Sequence, residues 1–139
     1  MNFWLVKSEP GAWSWDQQVK VGAKGEPWIG IRNHSAKLNL MKMKKGDRAF
    51  FYHSNIGKEI VGAVEIIREH YPDPTDKTGK FVAVDIKAAA PMTRPVTLDA
   101  IKAEPRLADM ALLKLSRLSV QPVTAAEWKI VCRMGGVPG

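Results

Sequence analysis

Short runs of aromatic and β-branched residues along the chain predict its strands. Four such runs lie at residues 2–7, 49–53, 59–68 and 81–87. In the last run Val82, Val84 and Ile86 occupy alternate positions, which is the period of a half-buried strand. The connection at 55–58 is short enough for a hairpin, so we expect antiparallel pairing there. The polar, proline-containing residues 71–79 predict a long exposed loop.

Polar residues that can cap helices stand before several of the remaining segments. The predicted N-caps are Ser14, Ser35, Thr97 and Thr124. Each of these side chains can accept a hydrogen bond from a backbone N–H in the first helical turn. Apolar residues recur at helical spacing in 35–44, and the other helices are predicted to end near Val21 and Ala103 and to contain Trp128. Two further extended segments are predicted between Pro91 and Pro95 and over residues 117–123.

Strands in the middle of the chain, with short helices at the margins and no regular βαβ alternation, predict an α+β fold. The expected architecture is a small, strongly curved antiparallel sheet or β-barrel with the helices at its rim. No GxGxxG or GxxxxGK[ST] sequence follows a predicted strand, which disfavours a doubly wound nucleotide-binding fold. The 139 residues, 45% of them hydrophobic and 25% charged, fit one domain spanning residues 1–139.

The composition favours an anionic partner and a reducing compartment. There are 21 basic and 14 acidic residues, a formal net charge of +7, and the sequence pI is about 9.7. A balance of this kind favours a polyanionic partner such as nucleic acid. Cys132 is the only cysteine, so no internal disulfide is possible. Because the apolar residues 3–6 are too few for a signal peptide or a membrane span, we expect a cytoplasmic protein without a membrane segment.

The sequence contains no recognisable pattern for a metal site or for an activated nucleophile. His34, His53 and His70 lie far apart, and none belongs to an HExxH or a cysteine–histidine spacing. Ser8 and Ser54 have no GxSxG context, and a role in turns is favoured for both over catalysis. We therefore expect no metal and no cofactor.

Five tryptophans are a large number for a chain of 139 residues. Trp4 and Trp128 lie on apolar faces and are predicted to be core residues. Trp13 and Trp15 lie in polar surroundings, where they either plug the ends of a small barrel or contact a ligand. Trp28 is the strongest candidate for ligand contact, because of the residues that follow it.

Residues 28–33 combine the groups that a planar base and its phosphate require. Trp28 supplies a flat stacking surface, Arg32 a guanidinium and Asn33 an amide, all within one predicted loop. The following segment, 37–48, contains five basic residues and one acidic residue. It is either a solvated helix face or a surface that binds the nucleic-acid backbone while the loop binds the base.

Four motifs, in this order along the chain, resemble the EVE domain family. They are Trp4–Pro10, Trp28–Asn33, Tyr52–Asn55 and Arg117–Val123, and the likeness also extends through Gly62–Glu69 to Tyr71, Asp73, Pro74 and Thr75. The resemblance covers nearly the whole chain. It implies a PUA-like fold, a small β-barrel with helices at its rim, and kinship with the YTH readers of methylated adenine. It also implies binding of a modified nucleic-acid base, above all a modified cytosine.

The resemblance can be carried over position by position. The Lys-Ser after the first strand of the YTH readers is matched by Lys7 and Ser8, their cage tryptophan by Trp28, and their Ser-Asn stretch by Ser54 and Asn55. The chain departs from the family at two places, with His34 where an aromatic residue is frequent and Lys37 where an arginine is frequent. A lysine lacks the planar fork of arginine, so contacts that flank the pocket are the ones affected.

The resulting hypothesis is a reader of modified bases that performs no catalysis. The predicted base-binding residues are Ser8, Glu9, Pro10, Trp13, Trp28, Asn33, His53, Ser54 and Asn55, and the predicted phosphate-binding residues are Lys7, Arg32, Lys37, Lys42 and Lys45. The base, extruded from a strand or already single-stranded, stacks on Trp28. Its edge contacts Ser8, Asn33 and Ser54, and Glu9 accepts a hydrogen bond from an exocyclic amine. The expected partner is DNA or RNA carrying a modified base, bound by a monomer.

Two alternatives come from other classes of function. PUA-like barrels related to the ASCH group include hydrolases of modified nucleosides and nucleases, and Lys7, Glu9, His53 and Ser54 could supply an acid and a base in the same pocket. A protein-interaction module that uses exposed tryptophans is the third possibility. It predicts binding that ignores nucleic acid.

Overall fold

Six strands form one curled sheet, and five helices pack against its faces and margins. The structure is a computed structural model that describes residues 1–139. The strands are β1 Phe3–Ser8, β2 Glu26–Trp28, β3 Arg48–His53, β4 Glu59–Pro72, β5 Val82–Thr97 and β6 Val120–Val123. The helices are α1 Trp15–Lys20, α2 His34–Lys42, α3 Leu98–Lys102, α4 Ala111–Lys114 and α5 Ala125–Met134, with 3₁₀ turns at Gly22–Lys24 and Pro105–Leu107. None of the helices is long and apolar enough to cross a membrane.

The strand order is β2-β5-β4-β3-β1-β6. The predicted α+β class and strong curvature of the sheet are confirmed, but the sheet does not close into the predicted barrel, because β2 and β6 remain its two ends. Four shifts of register between the long strands β4 and β5 bend them and produce the curl. The pairing is also not antiparallel throughout. Strand β1 pairs with β3 in parallel, because the chain between them crosses over through α1, β2 and α2.

Strand β1 is buried on both faces and separates two hydrophobic clusters. Leu5 and Phe50 face one cluster, which α5 covers, and there the Trp128 ring stacks on Phe50 with 3.9 Å between centroids. Trp4 and Phe51 face the other cluster, which α1 and α2 cover. The prediction that Trp4 and Trp128 are core residues is confirmed, since each exposes only 4% of its surface.

The helix caps follow the local sequence, with one exception. Ser14 and Thr124 each cap a helix and accept a hydrogen bond from the N–H three residues later, and Thr97 caps α3 in the same way. The prediction that Ser35 caps α2 is wrong. Asn33 has the extended backbone of a cap and its Oδ1 accepts from the N–H of Ala36 at 2.9 Å, so Ser35 lies inside the helix.

Strand β5 is continuous through Pro91 and Pro95, which corrects the prediction of a separate extended segment there. Strand β2 pairs only with residues 84–86 of β5, so the later part of β5 has β4 on one side and no strand on the other. A proline without an N–H is tolerated at such an edge. Strand β4 extends to Pro72, so the predicted exposed loop occupies residues 73–81 rather than 71–79.

Gly62 in β4 is a position where the fold requires the absence of a side chain. A Cβ atom there would overlap Cζ2 of the buried Trp15 ring. We expect Gly62→Ala to reduce the free energy of unfolding by about 1–3 kcal/mol, the usual cost of overpacking a core. The matched control is Gly11→Ala, since a Cβ at Gly11 has no neighbour within 4 Å. Urea denaturation of both variants checks this, and equal stabilities would contradict the close packing of Trp15 on Gly62.

Candidate functional site

A pocket of about 360 Å³ opens where the end of β1 faces β2. It is lined by Lys7, Ser8, Glu9, Ala12, Trp13, Glu26, Pro27, Trp28, Ile29 and Ile31. Its volume lies within the range of small-molecule sites. Apolar and aromatic side chains form walls, and three charged side chains contribute polar groups. The structure therefore brings five of the predicted site residues into one cavity, namely Lys7, Ser8, Glu9, Trp13 and Trp28.

Trp13 is a half-buried wall of the pocket, held by hydrogen bonds on both sides. Its Nε1–H donates to Oε1 of Gln18 at 2.9 Å, and its carbonyl accepts from the hydroxyl of Ser8. Gln18 is itself fully buried, and its Nε2 donates to the carbonyl of Ile86 at 3.3 Å. The indole ring is thus fixed before any ligand arrives. Ser8, predicted to contact a base edge, uses its hydroxyl hydrogen to hold Trp13.

Trp28 forms the deeper wall and is not a loop residue, which corrects the sequence-based prediction. It ends β2, pairs in register with Val84 of β5, and exposes 8% of its surface. Its ring meets Phe51 edge to face, with 5.8 Å between centroids. The loop begins only at Ile29. Trp28 therefore supports the core as well as the pocket.

The segment after Trp28 is fixed by a buried carboxylate from a distant loop. Asp73, 2% exposed, accepts hydrogen bonds from the Gly30 N–H at 2.8 Å and from Nη1 of Arg32 at 3.1 Å. The N–H and hydroxyl of Thr75 donate to its other oxygen at 2.7 and 2.6 Å. Burial raises the pKa of Asp73, but the hydrogen bonds from Thr75, Gly30 and Arg32 outweigh burial and lower it to about 2.

Arg32, predicted to bind phosphate, is already engaged within the protein. Besides Asp73 it donates to the hydroxyl of Thr75 at 3.1 Å, and its guanidinium lies 5.6 Å from the centre of the Phe81 ring. Its side chain is still 42% exposed, so one side of the guanidinium faces solvent. Lys37 lies beside it, with Nζ 5.9 Å from the same ring.

Lys7 extends from the pocket toward a neighbouring loop. Its Nζ donates to the carbonyl of Ser116 at 2.6 Å and lies 6.0 Å from the centre of the Tyr52 ring. Burial lowers the pKa of Lys7. Because Ser116 does not line the pocket, the bond to its carbonyl holds the Lys7 ammonium at the border of the pocket rather than at its centre.

The predicted residues of the Tyr52–Asn55 motif lie beside the pocket without lining it. Nε2 of His53 accepts from the N–H of Trp15 at 3.0 Å, which holds the start of α1. Burial lowers the pKa of His53, against a smaller opposite effect of Glu59 and Asp16. The imidazole is therefore part of the scaffold beneath the pocket.

Ser54, Asn55 and Pro10 lie next to Ser8 and Glu9, outside the cavity. The N–H of Ser54 donates to the carbonyl of Ser8 at 2.9 Å, and Nδ2 of Asn55 lies 3.4 Å from Oε1 of Glu9. Pro10 follows Glu9 directly and does not line the cavity. Of these three residues, only Asn55 bonds to a side chain of the pocket.

Three other predicted site residues lie away from the cavity. Asn33 caps α2, and its side chain faces a second cleft. Lys42 and Lys45 lie at the opposite end of β1 from the pocket, because α2 runs back along the sheet. Lys42 is beside Asn2 and Trp4 in a groove there.

Sequence reasoning missed several residues that line the pocket, above all Glu26. The others are Ala12, Pro27, Ile29 and Ile31. Glu26 and Pro27 belong to a strand of three residues, which is too short to show a period, and they follow a glycine that reads as a helix stop. No local signal identifies them, because β2 exists only through its pairing with β5. No group of three or more His, Cys, Asp or Glu side chains is arranged to hold a metal ion.

A family model described as EVE domain matches residues 2–134 of the chain. The chain belongs to the EVE domain family. Mouse thymocyte nuclear protein 1 is 33% identical to this EVE domain over 94% of the chain and 72% of the mouse protein. An NMR structure of a Rhodopseudomonas palustris protein is 73% identical, with a TM-score of 0.94, and the match covers 98% of this chain and 94% of that one.

Two solved structures with nucleic acid resemble this EVE domain. Human thymocyte nuclear protein 1, solved in complex with DNA containing 5-methylcytosine, is 30% identical with a TM-score of 0.90, and the match covers all of both chains. A YTH domain from Zygosaccharomyces rouxii, solved with N6-methyladenosine RNA, is 18% identical with a TM-score of 0.59, over 99% of this chain and 86% of that one. The second likeness shows a shared fold.

The contacts of Asp73 predict a pH dependence of stability. Its pKa falls from 3.8 to about 2 on folding, so the carboxylate contributes about 2 kcal/mol above pH 4, and this contribution is lost as the pH falls toward 2. We expect Asp73→Asn to lose that amount at pH 7 and much less at pH 2.5. The control is Asp109→Asn, whose side chain is 95% exposed. Chemical denaturation at both pH values measures the free energy of unfolding of each variant. An equal loss of stability at pH 7 and pH 2.5 would contradict the stabilising role of the ionised Asp73 carboxylate.

Proposed function

We propose that this EVE domain binds a modified base of a nucleic acid in the pocket between Trp13 and Trp28. Methylated cytosine in DNA is the first ligand to test, and a modified base in RNA is the second. The relation to human thymocyte nuclear protein 1, solved with DNA containing 5-methylcytosine, supports the proposal. The observation that carries it in this chain is the pocket itself, which has two tryptophan walls and a polar edge.

The two tryptophans contact the base in different ways. Trp13 is the more accessible, and a base stacking on its fixed ring gains about 1–3 kcal/mol. Trp28 closes the back of the pocket, with most of its surface already used against the core. Because both rings are held by the fold, little conformational entropy is lost when the base enters.

The polar edge of the pocket suits a base that carries an amino group. Glu9 and Glu26 both line the cavity, and carboxylates accept hydrogen bonds from the exocyclic amine of cytosine. A methyl group on the base would pack against Ile29, Ile31 or Pro27. One buried methyl contributes about 1 kcal/mol, so we expect a modest preference for the methylated base of roughly fivefold.

We further propose that binding occurs without catalysis. A hydrolase in this pocket would draw its acid and base from Lys7, Glu9, His53 and Ser54. His53 is bonded to the Trp15 amide outside the pocket, and Lys7 donates to the Ser116 carbonyl. This arrangement favours a binding site over an acid–base pair.

An interaction module built on exposed tryptophans is less well supported. Four of the five tryptophans are buried, and Trp13 is half-buried and hydrogen-bonded. None presents an open indole surface of the kind that such a module uses. The monomeric state and the cytoplasmic location stay predictions.

The pair Trp13→Ala and Trp13→Phe tests the stacking. Both variants remove the hydrogen bond to Gln18, so its structural cost is common to them, but only phenylalanine keeps an aromatic face. We expect Trp13→Ala to bind a single strand containing 5-methylcytosine at least tenfold more weakly than Trp13→Phe. Fluorescence polarisation of a labelled oligonucleotide at fixed salt measures the affinities.

The same oligonucleotide with unmodified cytosine is the control for specificity, and circular dichroism confirms that both variants fold. Equal affinities of the two variants would contradict stacking on Trp13. Equal binding of both oligonucleotides by the wild-type protein would contradict recognition of the modification. If chromatography shows that the modified nucleoside is cleaved during incubation with the protein, the protein is a hydrolase instead.

A further inference from the structure

A second cleft, of about 420 Å³, lies next to the pocket. It is formed by the start of α2, the end of α4 and the segment that connects α4 to β6. Its polar lining consists of Asn33, Ser35, Lys114, Ser116 and Arg117. Arg117 begins the last of the four sequence motifs, to which base binding assigns no role. The cleft thus combines two cations with hydroxyl and amide groups.

The cleft and the pocket share a border. Lys7 lines the pocket, and its Nζ lies 2.6 Å from the carbonyl oxygen of Ser116, which lines the cleft. Ile31 lines the pocket, and Asn33, two residues later, lines the cleft. Two residues of chain span at most about 7 Å. The two cavities therefore border each other, as neighbouring binding sites for the base and the phosphate of one nucleotide would have to.

The two cavities differ in charge. The pocket contains Glu9, Glu26 and Lys7, whereas the cleft contains Lys114 and Arg117 and no acidic residue. An amino-bearing base with an attached phosphate has the complementary distribution, with hydrogen-bond donors on the base and negative charge beside it. Affinity for nucleic acid comes mainly from such phosphate contacts.

The cations of the cleft are also available. Arg117 is exposed and has no ion pair in the structure. Lys114 has only a distant pairing with Asp109, 3.9 Å between side chains that are 63% and 95% exposed, and such pairs contribute little. In contrast, Arg32 is bonded to buried Asp73.

We propose that the cleft binds a phosphodiester group of the strand whose base occupies the pocket, with Arg117 and Lys114 as the cationic ligands. The planar guanidinium of Arg117 matches two phosphate oxygens. The hydroxyl of Ser35 and the Nδ2 of Asn33, whose Oδ1 already caps α2, donate to the remaining ones. This inference rests on the proposed function. It moves the phosphate site away from Lys42 and Lys45.

Charge reversal at the cleft, compared with charge reversal at the other end of β1, tests the assignment. The variant is Lys114→Glu with Arg117→Glu, and the control is Lys42→Glu with Lys45→Glu. Both change the net charge equally, so long-range attraction is matched. The probes are a short single strand with one 5-methylcytosine and the free nucleoside 5-methyl-2′-deoxycytidine, which has no phosphate.

We expect the cleft variant to bind the single strand at least about tenfold more weakly than the control. The slope of log affinity against log salt should fall by about 0.7 for each phosphate that the protein no longer neutralises. The affinity for the nucleoside, measured by tryptophan fluorescence, should remain within about twofold of wild type. The reason is that the nucleoside carries no phosphate for the cleft to bind. Circular dichroism verifies the fold of both variants.

The outcomes that overturn the inference differ from those that overturn the proposed function. Equal losses of affinity and equal salt slopes in the two variants would mean that the phosphate does not bind in the cleft. Loss of nucleoside binding in the cleft variant would mean that Arg117 and Lys114 support the pocket rather than the phosphate. Failure of the wild-type protein to bind the nucleoside or to prefer the modified strand would overturn the proposed function, and this inference with it.

Discussion

The buried carboxylate of Asp73 is the interaction on which the geometry of the site depends. It accepts hydrogen bonds from both sides, from Gly30 and Arg32 in the segment after Trp28 and from Thr75 in its own loop. A buried charge is tolerated only when donors of this kind surround it. These bonds fix the direction in which the chain leaves β2. They thereby set one wall of the pocket and the place where α2 begins.

This arrangement also decides which cations are free to meet a ligand. Arg32 neutralises Asp73, so the arginine nearest to the pocket in sequence is not the one most available to a phosphate. Lys7 is drawn toward the Ser116 carbonyl. The cleft next to the pocket contributes two other cations, Arg117 without an ion pair and Lys114 with only a distant one, and both lie far from Lys7 in the chain. The lining of the pocket, with Glu9, Glu26 and Lys7, is net negative, whereas the lining of the cleft is positive.

The features that sequence alone predicted are those with local causes. Ser14 and Thr124 cap helices because their own side chains bond to the next turn, and β1 and β3 are dense runs of large apolar residues. Strand β2 could not be predicted, since three residues become a strand only when β5 is beside them. The parallel pairing of β1 with β3 likewise depends on the long crossover through residues 9–47.

The difference between local and long-range causes also explains which residues of the pocket could be predicted from the sequence. The order of motifs indicated Lys7, Ser8, Glu9 and Trp28, which the fold does bring together with Trp13. Local charge indicated Lys42 and Lys45, but α2 carries them to the far end of β1. Glu26 had no signal in the sequence, because its place in the pocket is fixed by long-range pairing. The motifs thus predicted several residues of the pocket, whereas the run of basic residues did not predict which cations lie next to it.

The most direct test of the central claim is an NMR titration of the five tryptophan indole N–H signals with 5-methyl-2′-deoxycytidine. If the base enters the pocket, the signals of Trp13 and Trp28 will shift, because a stacked base changes the magnetic environment of those rings. Trp4, Trp15 and Trp128 do not line the pocket, and their signals will stay in place. No shift at Trp13 and Trp28, or shifts confined to the other three, would contradict the account.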